Sequence, residues 1–339
     1  MMKKEYNLVN FLKFICAVLV VLIHTVNRET KLGYLCLITA RVAVPIFFMI
    51  TGYFMAEKIY KKDYEKVNKY IKKIFYIYVF WSVIYILFVP QRYFSQGNIK
   101  GQLFELMRQF LFFGTYDHLW YLITCCVAMY IIYFFINKFG LRITMVISLF
   151  FYGCSLLGDS YYGILPVCKL KNFIDTYIFY FGEVWNSFIW VLIFILFGIV
   201  IKKYNLNKKI THGKYVFLIV YCLFILEHFI LKYLNIERDN NTSIFLLILA
   251  PVIFINILNL EDKVQINYIK SNAEILKNLS LNIYLVHPLI KLYIIKFLNI
   301  DKSFILFAIV LSLSIIVSYL IYYIKKLIYC KQKYKRSNL

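Results

Sequence analysis

The sequence predicts an all-α fold, a polytopic membrane helical bundle of about ten transmembrane helices with both termini cytoplasmic. Three observations lead there. Hydrophobic residues make up 62% and charged residues 17% of the 339 positions, where soluble chains run near about 45–50% and about 25%. The apolar residues gather into runs of about 20, the length that crosses a bilayer core as a helix. The basic residues gather between those runs, and more on one side than the other.

Ten runs qualify: 8–26, 33–55, 73–90, 119–136, 143–158, 184–201, 215–231, 243–260, 279–298 and 304–324. The fifth is short, confined between Arg142 and Asp159. The stretch 159–183 is ambiguous and has room for a re-entrant piece. Ile99–Phe113 mixes apolar residues with Lys100, Glu105 and Arg108, the pattern of an interfacial helix rather than a span. With the N-terminus inside, alternate loops hold 25 Lys and Arg on the cytoplasmic side against 10 outside. That split favours both termini inside and an even number of spans.

Composition also excludes functions. A net charge of +22 on a soluble protein would suggest nucleic-acid binding. Here the charge lies beside apolar runs, so its partner is the bilayer and its anionic inner leaflet, not a nucleic acid. The eight Cys are scattered with no C-x-x-C, which supports neither a zinc nor a redox site, and no metal is expected. No Walker A or G-x-G-x-x-G loop is present, against an ATP-driven pump within this chain. The first run holds Lys13 and His24 and lacks a small-x-small cleavage site, unlike a cleaved signal. Without repeats or a change in composition, residues 1–339 read as a single integral membrane domain.

Ionisable residues inside spans are costly and mark cavities or partners. Lys13 and His24 lie eleven residues apart in the first run. That separation is close to three helical turns, so they share a face about 16 Å apart along the axis. Lys13 alone also fits snorkelling to the inner interface. Arg41 lies in the second run, where it keeps its proton, with Pro45 one turn later to bend the helix. Its alternative is a structural ion pair, with Glu227 as partner. His118 opens the fourth run in His118-Leu119-Trp120-Tyr121-Leu122, whose aromatics also suit interface anchors. His287 precedes Pro288 in the ninth run, where a kinked helix with a satisfied imidazole is the plain alternative. In the predicted topology His24, Arg41 and His118 fall in the outer half of the bilayer, which predicts one polar cavity opening outward.

These segments together resemble the acyltransferase-3 family of integral membrane acyltransferases. The resemblance runs from Asn10 to His24, then from Arg41 through Val44-Pro45-Ile46-Phe47-Phe48 to Phe54. His118-Leu119-Trp120-Tyr121-Leu122 and Ile283-Tyr284-Leu285-Val286-His287-Pro288 follow in order. The style is closest to the branch that includes the membrane half of the vancomycin-resistance serine racemases. The family hallmark is arginine, ten residues, then histidine. This chain keeps the spacing with Lys13, places Asn10 where an acidic residue is common, and has Trp185-Asn186-Ser187 in place of Arg-Asn-Gly.

The resemblance implies a plasma-membrane, multi-pass enzyme. It would move an acyl group, commonly acetyl, from cytoplasmic acetyl-CoA to a hydroxyl of a cell-surface glycan or lipid-linked sugar, with no bound cofactor. Its catalytic residues would be His24 as base and Arg41 as the oxyanion's cation. Lys13 would hold donor phosphates. His118, Trp120 and Tyr121 would line the acceptor entrance, and Tyr284 and His287 the tunnel. The basic segment Glu57–Lys73 would meet the CoA phosphates. A covalent acyl-enzyme on Cys16, Cys125 or Cys126 has no activating base at a fixed spacing. The alternative is uptake or sensing of a serine-like amino acid without catalysis.

Overall fold

The computed structural model describes residues 6–94, 98–166, 169–210, 213–261 and 267–337, and every regular element among them is helical. Among the basic loop residues and cysteines counted above, Lys3, Lys4, Lys263 and Cys168 lie outside the described residues. Seven helices among the described residues are long and apolar enough to cross a membrane. The chain is a multi-pass membrane protein. Its helices divide into two units, one from Met1–Ala43 with Ile257–Leu339, the other Val44–Asn256.

The first unit holds α1 (Asn7–Thr25), α2 (Lys31–Ala40), α13 (Asn267–Leu298) and α14 (Phe304–Ser337). On α1, Val9, Cys16, Ala17, Val20 and Val21 are buried. They recur at three- and four-residue steps, so one stripe faces its neighbours. Its first turn leaves backbone N–H groups without helical partners. Glu261 supplies them, accepting from Asn7 N at 2.7 Å and Val9 N at 3.0 Å. At the other end Ser303 N donates to the Thr25 carbonyl at 2.9 Å, tying α1 to the start of α14.

The second predicted run is not one helix. α2 stops at Ala40 and α3 (Ala43–Tyr60) begins after a turn at Arg41–Val42. Pro45 explains the break, because it lacks an N–H and its ring opposes the carbonyl four residues earlier, that of Arg41. Arg41 therefore sits at a helix end, its N–H donating to the Ile38 carbonyl at 2.9 Å.

In the second unit α4 (Tyr64–Phe88) starts at Asp63, whose carboxylate accepts from Lys66 N and, at 2.6 Å, from Lys66 Nζ. The Lys66 side-chain bond holds the Asp63 carboxyl below its ordinary pKa. After α4 come α5 (Pro90–Tyr93) and α6 (Ile99–Arg108), the latter with no buried residue, as the mixed composition of 99–113 predicts.

α7 (Trp120–Gly158) contains the fourth and fifth predicted spans. Gly140 at φ 78°, ψ 169° interrupts it, a backbone state that costs glycine no steric penalty. The two halves fold back on one another. Ring contacts of 6.2, 5.7 and 5.7 Å link Trp120 to Trp190, Trp190 to Phe194 and Phe194 to Tyr152. A straight helix would hold Trp120 and Tyr152 about 48 Å apart. The ambiguous stretch after it carries α8 (Lys169–Phe181). Arg108 reaches from the end of α6 to the carbonyls of Phe179 and Tyr180, at 2.7 and 3.1 Å, and pairs with Glu105 at 2.8 Å.

α9 (Phe188–Tyr204) is apolar all round, and Trp190 through Leu196 are all buried. It is the central helix of this unit. A short helix α10 (Leu206–Lys209), then α11 (Gly213–Tyr233) and α12 (Leu246–Glu261), complete the chain order. The loop before α12 is held by two buried carboxylates. Glu227 accepts from Ile244 N (2.6 Å), Phe245 N (2.9 Å) and Tyr161 Oη (2.6 Å). Asp159 is 1% exposed and accepts from Asn241 N (2.9 Å), Thr242 N (2.6 Å) and Thr242 Oγ1 (2.8 Å). Glu227 is therefore a loop anchor, its oxygens accepting from two backbone N–H groups and the Tyr161 hydroxyl. Asp159→Ala would orphan those buried donors, each worth about 1–3 kcal/mol. The expected result is a loss of about 3 kcal/mol, read as a lowered thermal midpoint of the detergent-solubilised protein.

Candidate functional site

The first unit holds Lys13, His24, Arg41, Tyr284 and His287, with Lys13 and His24 toward opposite ends of α1. Lys13 and His24, both half-buried, lie on the stripe of α1 that also carries the buried Ala17 and Val20 between them. The lysine that stands for the family's arginine keeps an intrahelical partner. Its Nζ donates to Asn10 Oδ1 at 3.2 Å. Its partner there is a neutral amide rather than a carboxylate.

At the far end of α1 the His24 ring lies 5.3 Å from the His287 ring, centroid to centroid, with an interplanar angle of 38°. His287 is fully buried. Its Nδ1 lies 3.0 Å from the Ile283 carbonyl and 2.9 Å from that of Tyr284. The Tyr284 ring is 6.4 Å from the imidazole. Lys291 follows one turn later on the same face of α13. Lys291, Arg41 and Lys302 are within electrostatic reach of His24. Sequence reasoning did not assign Lys291 a place here, although its four-residue spacing from His287 was legible. Lys302 carried no signal, because the bond from Ser303 to Thr25 that brings it near is between segments far apart in the chain.

The second unit gathers His118, Trp120 and Tyr121. Gly114, at φ 82°, turns the chain so tightly that a Cβ there would run into the backbone of Leu119 and Trp120. That turn seats His118, 2% exposed, edge-on to Tyr85 at 5.0 Å and Tyr116 at 6.0 Å. Tyr85 and Tyr116 stack at 4.3 Å, and the Arg92 guanidinium lies 4.5 Å over Tyr116 while binding Asp117 at 2.6 Å. Trp120 meets Trp185 at 5.9 Å and Trp190 at 6.2 Å, and Tyr121 meets Phe48 at 4.7 Å. Trp185 is here an aromatic partner of Trp120. Tyr116 and Asp117 are sequence neighbours of His118, but Phe48, Tyr85, Arg92, Trp185 and Trp190 lie on other elements and could not be read from spacing.

Chemically, the first cluster offers two imidazoles and several cations with no carboxylate among the residues named. It can take a proton and stabilise an anion. Among the described residues no group of three or more His, Cys, Asp or Glu could hold a metal ion. Cys16 and Cys125 are buried away from solvent, as inert structural thiols are.

Comparison with known proteins gives the following. A family profile described as an acyltransferase domain, acyltransferase-3, matches residues 6–323. An "Amino-acid racemase" of Enterococcus faecalis is 30% identical over 98% of this chain and 48% of its own length. A second protein of that name and organism is 29% identical over 72% of this chain and 34% of its own length. A "Serine/alanine racemase" of Enterococcus gallinarum is 24% identical over 63% of this chain and 31% of its own. The chain thus spans about half the length, or less, of the curated relatives it matches. No solved structure matches.

Proposed function

Since this chain belongs to the acyltransferase-3 family, we propose that it is an integral membrane O-acyltransferase. In this reading it moves acetyl from cytoplasmic acetyl-CoA to a hydroxyl of an extracytoplasmic cell-surface glycan or lipid-linked sugar. It does so in the plasma membrane with both termini inside. The observation that carries the reading is the meeting of His24 with His287, among the charges of Arg41 and Lys291.

A sugar hydroxyl is a poor nucleophile at neutral pH, and imidazole is the side chain suited to take its proton as it attacks. His24 takes that role. The hydroxyl oxygen bonds to the thioester carbon, the C–S bond breaks, and the proton held on His24 passes to the departing sulfur. Arg41 supplies the fixed cation for the carbonyl oxygen as it becomes an oxyanion. Lys13, toward the cytoplasmic end of the same stripe, holds a donor phosphate. Tyr284 and His287 line the path of the acyl end, and His118, Trp120 and Tyr121 the acceptor entrance. The exposed Lys61, Lys62, Lys66, Lys69, Lys72 and Lys73 fit the remaining CoA phosphates. Cell-surface glycans from cells with and without the protein, compared by mass, are expected to differ by acetyl groups. Identical spectra would remove the reading.

A second reading is uptake or sensing of a serine-like amino acid without catalysis; a relative named "Serine/alanine racemase" is compatible with an amino-acid ligand. Labelled serine entering proteoliposomes with no dependence on acyl-CoA would support it over the first.

A further inference from the structure

The His287–Pro288 pair has a consequence for the chemistry of His24. In an α-helix the N–H of residue 288 would donate to the carbonyl of residue 284. Proline has no N–H, so that carbonyl loses its donor within a span. Such a loss must be made good internally. His287 Nδ1 lies 2.9 Å from the Tyr284 oxygen and 3.0 Å from that of Ile283. Both oxygens only accept, so Nδ1 must carry the proton. In the neutral imidazole this contact fixes the tautomer as Nδ1–H, which leaves Nε2 as the acceptor nitrogen.

That ring stands 5.3 Å from His24. Two imidazoles joined by an N–H···N bond of about 2.9 Å have centroids at nearly this spacing once turned edge to edge. Such bonds are commonly long without substrate and tighten with it. The hydrogen bond made by one imidazole nitrogen decides which form the other presents. Lys291, Arg41 and Lys302 are the charged groups acting on His24, and His24 and Lys291 those acting on His287. In that company a carboxylate is not needed to hold the base: a neutral acceptor orients it without becoming charged itself.

We propose that His287, locked as the Nδ1–H form by its contact with the Tyr284 carbonyl, is the positioning residue of His24. Its Nε2 accepts the N–H of His24 and so turns the opposite nitrogen of His24 toward the acceptor hydroxyl. The proposal rests on the acyltransferase reading and on His24 as its base. His287 itself gains and loses no proton during the reaction. The Asp–His arrangement of hydrolytic triads solves the same problem with a charged acceptor.

Two isosteres separate this role from simple helix repair. Asparagine reproduces a donor at the place of Nδ1, and glutamine an acceptor at the place of Nε2. Acetyl transfer from labelled acetyl-CoA would be measured with the full chain in native membranes, using envelopes of cells lacking the protein as acceptor. His287→Asn is expected to lower the maximal rate about 100-fold with the KM for acetyl-CoA unchanged, and His287→Gln to stay within about tenfold of wild type. The reverse order, asparagine active and glutamine inactive, would overturn the proposal in favour of carbonyl repair alone. Wild-type rates for both variants beside an inactive His24→Ala would also overturn it, leaving the acyltransferase reading intact. An active His24→Ala would instead sink the parent reading. A readout independent of activity is nitrogen NMR of histidine-labelled protein, with only five His to assign. The His287 signals should show Nδ1 protonated and Nε2 bare, and the opposite pattern would end the proposal even if both variants failed to fold.

Discussion

Membranes carrying His24→Ala are expected to lose acetyl transfer by about 10³-fold while retaining the protein at wild-type abundance. General-base catalysis by a placed imidazole contributes about 10²–10⁴-fold. A thousandfold corresponds to about 4 kcal/mol of barrier. Abundance should hold because His24 is half-buried at one end of the α1 stripe, beyond the buried segment Cys16–Val21 that carries the packing. The measurement is transfer of label from acetyl-CoA to envelope acceptor, with the protein quantified in the same membranes. Retention of the wild-type rate would show that the proton is taken elsewhere. Arg41→Gln should then be compared. Loss of one oxyanion donor costs about 3 kcal/mol, so its rate should fall about 10²-fold without loss of the protein.

The second large effect falls on folding. Gly198→Leu, or Gly52→Leu, should abolish accumulation of folded protein. α3 and α9 approach so closely that a Cβ on Gly198 would land on the Met49 carbonyl, and one on Gly52 on the Ile195 carbonyl. The obstacles are backbone, not flexible side chains, so the helices must separate. Membrane helices gain their association from packing at small residues rather than from a hydrophobic driving force. Overpacking a site of this kind costs about 3 kcal/mol or more. Because α9 is the buried centre of its unit, separation there also exposes Trp190 to Leu196. Fluorescence-detected size exclusion of a tagged protein should show the monodisperse peak of wild type replaced by aggregate. Gly153, with nothing within 4 Å of an added Cβ, is the matching control and should tolerate alanine.

Much of the fold was legible because hydrophobic periodicity is local. The α1, α4, α11, α13 and α14 helices lie where apolar runs of sufficient length predicted them. The fourth and fifth runs became one element with a hairpin at Gly140, where the charged residues Lys138 and Arg142 had already marked a boundary. The break at Arg41 went further than the bend expected from Pro45. The loss of an N–H and the clash with the Arg41 carbonyl together ended the helix outright. For the site, the shared stripe of Lys13 and His24 followed from helical geometry alone. The partner of His24 did not, because His287 is 263 positions away, a separation that no local spacing reports.

The amino-acid sequence on its own determined that this protein is helical, that it lives in a bilayer, and which ordered His, Arg and Pro motifs it carries. Those properties depend on composition and on neighbours within two turns, which the linear order states directly. Tertiary structure alone decided that His24 meets His287, that Glu261 closes the first turn of α1, and that Asp159 and Glu227 anchor a loop. Each of these is a choice among many donors and acceptors, made by pairing groups from segments far apart in the chain, and those pairings exist only after the helices have packed.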